Sequence, residues 1–586
     1  MSRRFLSLRR FFQQRPEHKR RPCRGALGLE RLEDRCLLTG PPPSPPLLLP
    51  AVTIGLTADQ INNADVVVNW NAVMLRAIWT DATAPTWTSR VEAMVGVAVY
   101  DAVEGIGHAR YTFYSVPGLD PDDAPKNASR EAAAIAAADT VLNSLYPDQK
   151  AMFDAQYQSD LGQIHKGKEK EHGIAWGQTV ANAVLAWRAT DGSNATSNYQ
   201  AAPPGGPPGV YELTPPGFAA PLTPQWGQVT CWTMSRFDQF PLPGPPALDS
   251  AEYAQDFNDV KSLGAVNSTT RTQDETLYAH FWADVPGHSV APPGHWDEVA
   301  ETVSLQQGLD LQDNTHLFAL LNVGLADAAI NCWGFKYQDN FWRPVTAIRD
   351  PRASQINPAT SSDPSWTPLW NTPPFPSYAS GHSTFSGTAS TILASIFGDG
   401  TRFTEGSDDM PGYSRSFTSF TQAANEAGES RVVGGIHFTF DNTDGLAAGR
   451  AIGGYVAQNF LLPVEKDDHR DGEHHHGDNP ERDGQGRNAQ GDKHGGISAD
   501  SIGALALLAT WQSNISVPKG EVSGGQSAKA AVPVDGQGHG LASRTGAAFL
   551  GGQTALANAN FTHLVRGTGV AAGKGDDPFL VSFDVL

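Results

Sequence analysis

The sequence predicts a mainly helical protein built as a large helical bundle, and three observations lead to that prediction. Residues 65–80 and 316–330 are apolar nearly all round over a helical length, which is typical of helices buried in a large core. Residues 129–145 are rich in alanine and have strong helix propensity. Strand patterns are sparse, so we expect helices packed on helices rather than a sheet.

The other helices are predicted from apolar periodicity between glycine and proline breakers. They are expected over 88–104, 169–189, 250–265, 272–283, 296–307, 314–335, 383–397 and 443–462. Proline and glycine dominate residues 191–248 and 350–380, which predicts two long loops over the surface or over a site.

The composition is that of a globular protein and argues against nucleic acid as the main partner. Of 586 residues, 40% are hydrophobic and 18% are charged, which is enough for a large core. The net charge of −20 would repel a phosphate backbone, so a local basic pocket stands out. The cysteines show neither zinc-site nor disulfide-framework spacing, and Cys231 and Cys332 either pair or remain buried free thiols.

Residues 1–50 are predicted to be a targeting segment that ends in a proline-rich linker. The start of the chain is basic, and residues 29–38 resemble an N-terminal element common in exported planctomycete proteins. The resemblance implies export to the periplasm, the cell surface or the medium, and a disordered basic arm is the alternative. No apolar run of about 18 residues is present, so no transmembrane segment is expected.

The rest of the chain divides into three parts. Residues 51–463 are expected to form the helical domain, and its motif-bearing core covers 330–462. Residues 464–497 are a charged, low-complexity linker whose tract 474–476 is either a loose metal binder or a solvated spacer. Residues 498–586 form a C-terminal region to which the sequence assigns no function.

The first chemical motif pairs Lys336 with Arg343. The two cations are seven residues apart, which predicts one helix face, and Pro344 is expected to end that helix. Arginine offers a planar fork for oxyanions and lysine a point charge. The alternative is a pair of solvated side chains.

The second motif, Ser380-Gly381-His382, lies between a proline-rich turn and a predicted helix. The N-terminus of a helix presents free amides to an anion, and glycine allows the backbone to approach closely. Ser380 adds a hydroxyl, and His382 exchanges protons near neutral pH. An ordinary helix cap and a structural histidine are the alternative.

The third motif contains Arg431, His437 and Asp441. A carboxylate four residues after a histidine can fix the imidazole tautomer and raise its basicity as a ligand. The alternative is a surface ion pair on one helix. Taken together, the three motifs supply three cations, free amides and two imidazoles, which indicates a pocket for phosphate or vanadate.

The order and spacing of these motifs resemble the superfamily of vanadium-dependent haloperoxidases and type 2 phosphatidic acid phosphatases. That superfamily carries Lys-x6-Arg-Pro, Pro-Ser-Gly-His and Ser-Arg-x5-His-x3-Asp elements, and the chain departs from them at Ala379, where proline is usual. The motifs span 336–441. The long helical region before them is similar to the soluble haloperoxidase-like branch, which implies the same helical-bundle fold.

The resemblance implies vanadate as the cofactor. Three cations would bind its equatorial oxygens, and two residues at the predicted helix start would add hydrogen bonds. His437 would be the axial vanadium ligand through a neutral ring nitrogen. The residues implied to bind the cofactor are Lys336, Arg343, Ser380, Gly381, Arg431 and His437.

The implied reaction is oxidation of halide by hydrogen peroxide to hypohalous acid, which halogenates a small organic acceptor. His382 would move protons, and Lys336 would polarise the bound peroxide. Two alternatives stay open. One is an acid phosphatase, in which His437 forms a phosphohistidine and His382 protonates the leaving alcohol. The other is a non-catalytic, oxyanion-binding cell-surface protein.

Three further residues are expected around the pocket. Trp333 and Phe375 match aromatic positions beside the site in the chloroperoxidase-like branch, and core packing is the alternative for both. Phe375 replaces a histidine of the bromide-preferring branch, which weakly favours a chloroperoxidase-like or broad halide profile. Asp284 is expected to orient His382. The halide preference, the acceptor and the oligomeric state are left open by the sequence.

Overall fold

The computed structural model of the chain describes residues 64–464. The targeting segment, the linker from residue 465 with its tract 474–476, and the C-terminal region 498–586 lie outside the described residues. Both cysteines within them, Cys231 and Cys332, are free thiols.

The mainly helical fold expected from the sequence is confirmed over the described part of the chain. It contains fourteen α-helices and one small antiparallel hairpin. The first seven helices are α1 (Val66–Thr80), α2 (Pro85–Glu104), α3 (Arg130–Leu145), α4 (Lys150–Gln163), α5 (Lys168–Arg188), α6 (Ala251–Leu263) and α7 (Gln273–Phe281). The others are α8 (Ala291–Gln307), α9 (Leu311–Asp339), α10 (Pro344–Arg349), α11 (Ala353–Ile356), α12 (Gly381–Phe397), α13 (Phe420–Val433) and α14 (Thr439–Asn459). The hairpin pairs β1 (Phe403–Gly406) with β2 (Ser414–Phe417).

Helix starts follow ordinary capping chemistry. Asp65 caps α1 by accepting from the Val67 amide at 2.8 Å, and Ser129 caps α3. The expected start of α2 at residue 88 is wrong, because Pro85 is its first residue. Proline lacks only an amide that the first turn would leave unpaired, so it begins this helix rather than breaking it.

Helix α9 lies in the centre of the body and is buried along almost its whole length. It packs against α2, α12 and α14. Among the described residues it is the one helix long and apolar enough to cross a membrane, and 94% of its apolar window is buried inside the protein. That burial is what the core helix of a helical bundle shows.

Helices α12 and α14 approach so closely that only glycine fits between them. A Cβ atom on Gly449 would lie 2.2 Å from the carbonyl oxygen of Thr384, and one on Gly387 would lie 2.5 Å from that of Leu446. The first turns of the two helices also meet, since the Ser383 hydroxyl donates to Asn442 Oδ1 at 2.8 Å. The second and third sequence motifs are therefore held together by backbone packing.

A network of buried carboxyl groups joins four helices away from these motifs. Asn71 of α1 donates to Glu301 of α8 at 3.0 Å, and Asn322 of α9 donates to Asp297 of α8 at 3.2 Å. Glu92 of α2 faces Asp297, and neither of its carboxyl oxygens has a hydrogen-bond partner. Burial, and then repulsion from Asp297, raise the pKa of Glu92 well above its ordinary value of 4.5.

We therefore expect Glu92→Gln to stabilise the protein at pH 8 and to matter less at pH 5. A carboxyl with a raised pKa binds its proton more tightly in the folded state, so its stabilising contribution is lost as pH rises. Glutamine removes the charge that repels Asp297, for a gain on the order of 1 kcal/mol at pH 8. Urea unfolding at both pH values measures it, with the exposed Glu252→Gln as the control. A loss of stability at pH 8 would contradict this expectation.

Candidate functional site

The three motifs meet at one end of the bundle core. Lys336 lies in the last turn of α9, Ser380 caps α12, and Arg431 lies in the last turn of α13. The chain between α13 and α14 carries His437, and Arg343 lies just before α10. Five separate segments thus converge on one position.

The expectation that Lys336 and Arg343 share one helix face is wrong. Helix α9 ends at Asp339 because Asn340 takes a left-handed conformation with φ 49°. Arg343 is extended, at φ −85° and ψ 156°, as the residue before a proline tends to be. Pro344 begins α10 instead of ending a longer helix, and Arg343 reaches the site from a turn.

Lys336 is fully buried, and its ammonium group donates to three backbone carbonyls. The acceptors are the oxygens of Pro376 at 3.1 Å, of Ser377 at 2.9 Å, and of Ala379. Lys336 therefore fixes the loop that leads into Ser380. Burial lowers its pKa to about 7, and the charge of Arg343 adds to that effect.

Arg343 uses two of its nitrogens on the surrounding backbone and leaves a third unpartnered. Its Nε donates to the Phe375 carbonyl at 2.8 Å, and its Nη1 donates to the Ile436 carbonyl at 2.7 Å. Nη1 also lies 3.1 Å from Nε2 of His437. Nη2 is buried without a hydrogen-bond partner, and burial lowers the guanidinium pKa to about 10.

His437 is held as a neutral imidazole whose Nε2 lone pair faces Nη1 of Arg343. Its Nδ1–H donates to Asp441 Oδ2 at 2.8 Å, so Nε2, beside Arg343, is the acceptor. Asp441 Oδ2 also accepts from the Ser377 hydroxyl and from the Phe438 amide at 3.2 Å. Burial lowers the His437 pKa well below 6.5, and the cations Arg343 and Lys336 lower it further. With side-chain exposures of 3% and 0%, this is no surface ion pair.

The start of α12 brings backbone and hydroxyl groups to the site. The Ser380 hydroxyl accepts from the Ser383 amide at 3.3 Å, and its own proton remains to be donated. The Ser380 amide donates to the Asp441 carbonyl at 3.0 Å, which ties α12 to α14. A Cβ atom on Gly381 would lie 3.2 Å from the Trp333 ring, so a larger residue would push the helix start away.

His382 is the more accessible of the two predicted histidines. Its side chain is 15% exposed, against 3% for His437. Its Nε2 lies 3.5 Å from Asp284 Oδ2, an ion-pair distance that is longer than a good hydrogen bond. Burial, and then the positive charge of Arg431, lower the His382 pKa well below 6.5. These neighbours therefore favour the neutral form of His382, in which one ring nitrogen can accept a proton.

Arg431 is anchored to the backbone beside Asp284. Its Nη1 donates to the Trp282 carbonyl at 2.6 Å, whereas Nε is buried without a partner. Burial lowers its pKa to about 10, and the carboxylate of Asp284 opposes that effect. The guanidinium thus retains one donor for a ligand.

The two predicted aromatic residues form an apolar wall beside the cations. Trp333 and Phe375 lie with ring centroids 5.1 Å apart. The Phe375 ring is 4.9 Å from the Arg343 guanidinium carbon and 5.0 Å from the Lys336 ammonium nitrogen. At these distances the face of the Phe375 ring attracts the two positive charges.

The residues present fit a tetrahedral or five-coordinate oxyanion. Three buried donors near the centre lack partners, namely Arg343 Nη2, Arg431 Nε and Trp333 Nε1. An oxyanion would accept hydrogen bonds from these donors. Its negative charge would also stabilise the buried cations, whose pKa values are lowered by burial. Across residues 64–464 no cluster of three or more His, Cys, Asp or Glu is arranged to hold a metal cation. The site suits an anion such as vanadate rather than a bare metal ion.

Sequence reasoning missed three residues that shape the site. Ser377 donates to Asp441, Trp282 offers its carbonyl to Arg431, and His295 contacts Asp284. Ser377 lies three residues before Ser380 in the sequence, but nothing in its spacing indicated Asp441 as its partner. His295 and Trp282 are distant in sequence from the cations, and only tertiary packing brings them together.

Comparison with known proteins places this geometry in context. Residues 316–465 match the family model described as the VCPO second helical-bundle domain. Vanadium chloroperoxidase of Curvularia inaequalis is 25% identical over 403 residues, which cover 56% of this chain and 64% of that relative. The chain therefore spans less than two thirds of that relative's length.

Solved structures of vanadium-dependent peroxidases are also similar to this chain. The first bacterial vanadium-dependent iodoperoxidase is 28% identical with a TM-score of 0.59, covering 70% of this chain and 98% of that one. An apo-type bacterial vanadium-dependent chloroperoxidase, at 15% identity and a TM-score of 0.50, covers 65% of this chain and 93% of its own, and shares the fold alone.

The fold and the sequence similarity together define the class. The family model, the curated relative and the solved structures together support the superfamily of the vanadium haloperoxidases for the helical domain. Within that superfamily its similarity lies with the vanadium haloperoxidases.

Proposed function

We propose that this protein is a vanadate-dependent haloperoxidase that oxidises halide with hydrogen peroxide to hypohalous acid. The observation that carries the proposal is the neutral His437, whose Nε2 lone pair faces Nη1 of Arg343, while Nη2 of the same guanidinium is buried without a partner. A lone pair next to an unused cationic donor is what an oxyanion with an electrophilic centre requires. The similarity to named haloperoxidases supports the same reading.

Vanadate would be held by groups whose other contacts are already fixed. Arg343 and Arg431 would donate through their free nitrogens, and the Ser380 hydroxyl and Gly381 amide would add hydrogen bonds. His437 would supply a nitrogen ligand through Nε2. The ammonium group of Lys336 already donates its hydrogen bonds to backbone carbonyls. In this proposal Lys336 therefore acts on vanadate mainly as a nearby positive charge.

The bound vanadate would supply a Lewis acid that polarises peroxide without changing its own oxidation state. The protein itself would supply the proton and exclude water. Halide oxidation to hypohalous acid consumes one proton for each peroxide, and His382 is the accessible base placed to deliver it. Trp333 and Phe375 provide an apolar wall that keeps bulk water from part of the site.

An acid phosphatase is the second candidate, because the same free Nε2 suits nucleophilic attack on phosphorus. In that reaction His382 would protonate the leaving alcohol. A non-catalytic oxyanion binder is disfavoured by His382, since binding alone needs no proton-transfer group.

One pair of assays tests the proposal. The purified full-length chain is incubated with orthovanadate, peroxide and chloride, bromide or iodide, and halogenation of a phenolic dye is followed. A vanadate-free sample receives an aryl phosphate. Halogenation that depends on vanadate supports the haloperoxidase, whereas phosphate release without halogenation overturns it in favour of the phosphatase. Silence in both assays would favour the binding protein.

We expect Asp441→Asn to lower vanadate affinity and halogenation by about 10–100-fold. Asparagine removes the negative charge that keeps the proton on His437 Nδ1, and its amide can turn its nitrogen toward Nδ1, so the Nε2 lone pair is no longer secured. Asp444→Asn is the matched control, because Asp444 lies one turn further along α14 and bonds only to the Tyr378 hydroxyl. Vanadate titration and initial rates measure both. Equal behaviour of the two variants would contradict the assigned role.

A further inference from the structure

The carboxylate of Asp284 lies between two imidazoles, and only one of them is in the site described above. Oδ2 is 3.5 Å from Nε2 of His382, and Oδ1 is 2.8 Å from Nδ1 of His295. The second contact is the shorter one and has hydrogen-bond geometry. Each oxygen of the carboxylate therefore faces a different histidine, and the closer contact is with His295.

His295 lies on α8, outside all three motifs, and is 2% exposed. Its ring stacks on Trp282, with centroids 4.5 Å apart and an angle of 29° between planes. Phe281 lies against it at 5.4 Å. These two aromatic rings fix the plane of the imidazole, and so they fix the direction in which Nδ1–H points.

Asp284 itself is in an unusual backbone conformation. Its φ of 50° lies in the left-handed region, which few residues other than glycine adopt. Its side chain is 3% exposed, so water cannot take the place of its partners. A buried carboxylate in such a turn depends on the groups that hydrogen-bond to it.

We propose that His295 is a positioning residue for catalysis: it donates Nδ1–H to Oδ1 of Asp284 and thereby holds Oδ2 toward His382. The inference rests on the haloperoxidase proposed above. With Oδ2 held in that direction, His382 keeps its ring oriented toward the oxyanion each time it gains or loses a proton. A rotated Asp284 would leave His382 Nε2 without an oriented neighbour.

The surroundings of His295 are acidic, which suits a histidine that donates rather than accepts. Glu405 of β1 and Asp408 after it face the ring, and both raise the pKa of His295, after Asp284 and against the effect of burial. Glu298, on α8 itself, is buried close to Asp284. Arg431 is the opposing cation on the other side of Asp284.

Simple core packing is the competing explanation, and two substitutions separate it from positioning. His295→Phe keeps a ring to stack on Trp282 but removes the Nδ1–H donor. His295→Asn keeps an N–H donor at the position of Nδ1 but removes the ring. A positioning role predicts that asparagine preserves function and phenylalanine does not, and a packing role predicts the reverse.

The experiment measures kcat, KM for halide and vanadate affinity for both variants, with His316→Asn as a control. His316 is a partly buried histidine that contacts the Leu461 carbonyl instead of Asp284. We expect His295→Phe to lower kcat by about 10–100-fold, with KM for halide and vanadate affinity within about twofold, because Arg343 and His437 are unchanged. His295→Asn should retain kcat to within about fivefold of wild type.

A second readout does not depend on turnover. In ¹⁵N-histidine-labelled protein, the ring signals of His382 should move in His295→Phe and stay near their wild-type positions in His295→Asn. Wild-type kcat in His295→Phe, equal losses in both variants, or unmoved His382 signals would each overturn the inference. An inactive wild-type protein would count against the proposed haloperoxidase, and the His382 signals would still decide the role of His295.

Discussion

Replacing His437 with alanine should abolish halogenation, lowering kcat/KM by at least about 1,000-fold. The substitution removes the ring nitrogen that lies 3.1 Å from Nη1 of Arg343, and it leaves Asp441 buried without its imidazole partner. Phosphate-ester hydrolysis, if that is the chemistry, should vanish equally, since the same nitrogen would be the nucleophile. Initial rates with saturating vanadate measure the effect.

The control for this variant is His172→Ala, which removes an exposed histidine on α5. It should leave rates and the thermal unfolding midpoint unchanged. Full activity in His437→Ala would remove His437 from the site. Loss of activity together with unfolding would be resolved by His437→Gln, which retains a polar group of similar size.

Arg343→Ala should weaken vanadate binding by about 100–1,000-fold. It deletes the free Nη2 donor, and it also leaves the Phe375 and Ile436 carbonyls without partners. Unpaired buried carbonyls cost about 1–3 kcal/mol each, so the unfolding midpoint should fall as well. Isothermal titration with orthovanadate, at pH 7 and in excess salt, measures the affinity.

Two companion variants sharpen this prediction. Arg343→Lys restores the charge but not the planar fork, and should recover only part of the affinity. Arg349→Ala, on α10, is the matched control, because this half-buried arginine bonds to the Trp366 carbonyl instead of the site. Equal affinity for vanadate in Arg343→Ala and Arg349→Ala would refute the assigned contact.

The candidate site residues could be singled out from the sequence because motif spacing is a property of the sequence itself. Lys336, His382 and His437 belong to motifs whose combined order and spacing are not expected of solvated side chains or surface ion pairs. The spacing of the motifs did not predict the path of the backbone between these residues. The seven-residue interval before Arg343 suggested one helix, but a left-handed Asn340 and the restricted residue before Pro344 redirected the chain.

The missed elements share a physical cause. Helix α4 and the β1–β2 hairpin are short or largely polar, so their sequences carry weak periodicity, and packing against neighbours decides their form. His295 is a similar case, since its role comes from the ring of Trp282 and the carboxylate of Asp284. A lone histidine in a helix gives no sign of a partner on another element.

The most direct test of the account is a crystal structure of the chain soaked with orthovanadate. The account predicts one vanadium per chain, bonded to Nε2 of His437, with Arg343 Nη2 and Arg431 Nε donating to its oxygens. Vanadium bound elsewhere, or a His437 Nε2 that remains unligated at saturating vanadate, would contradict it.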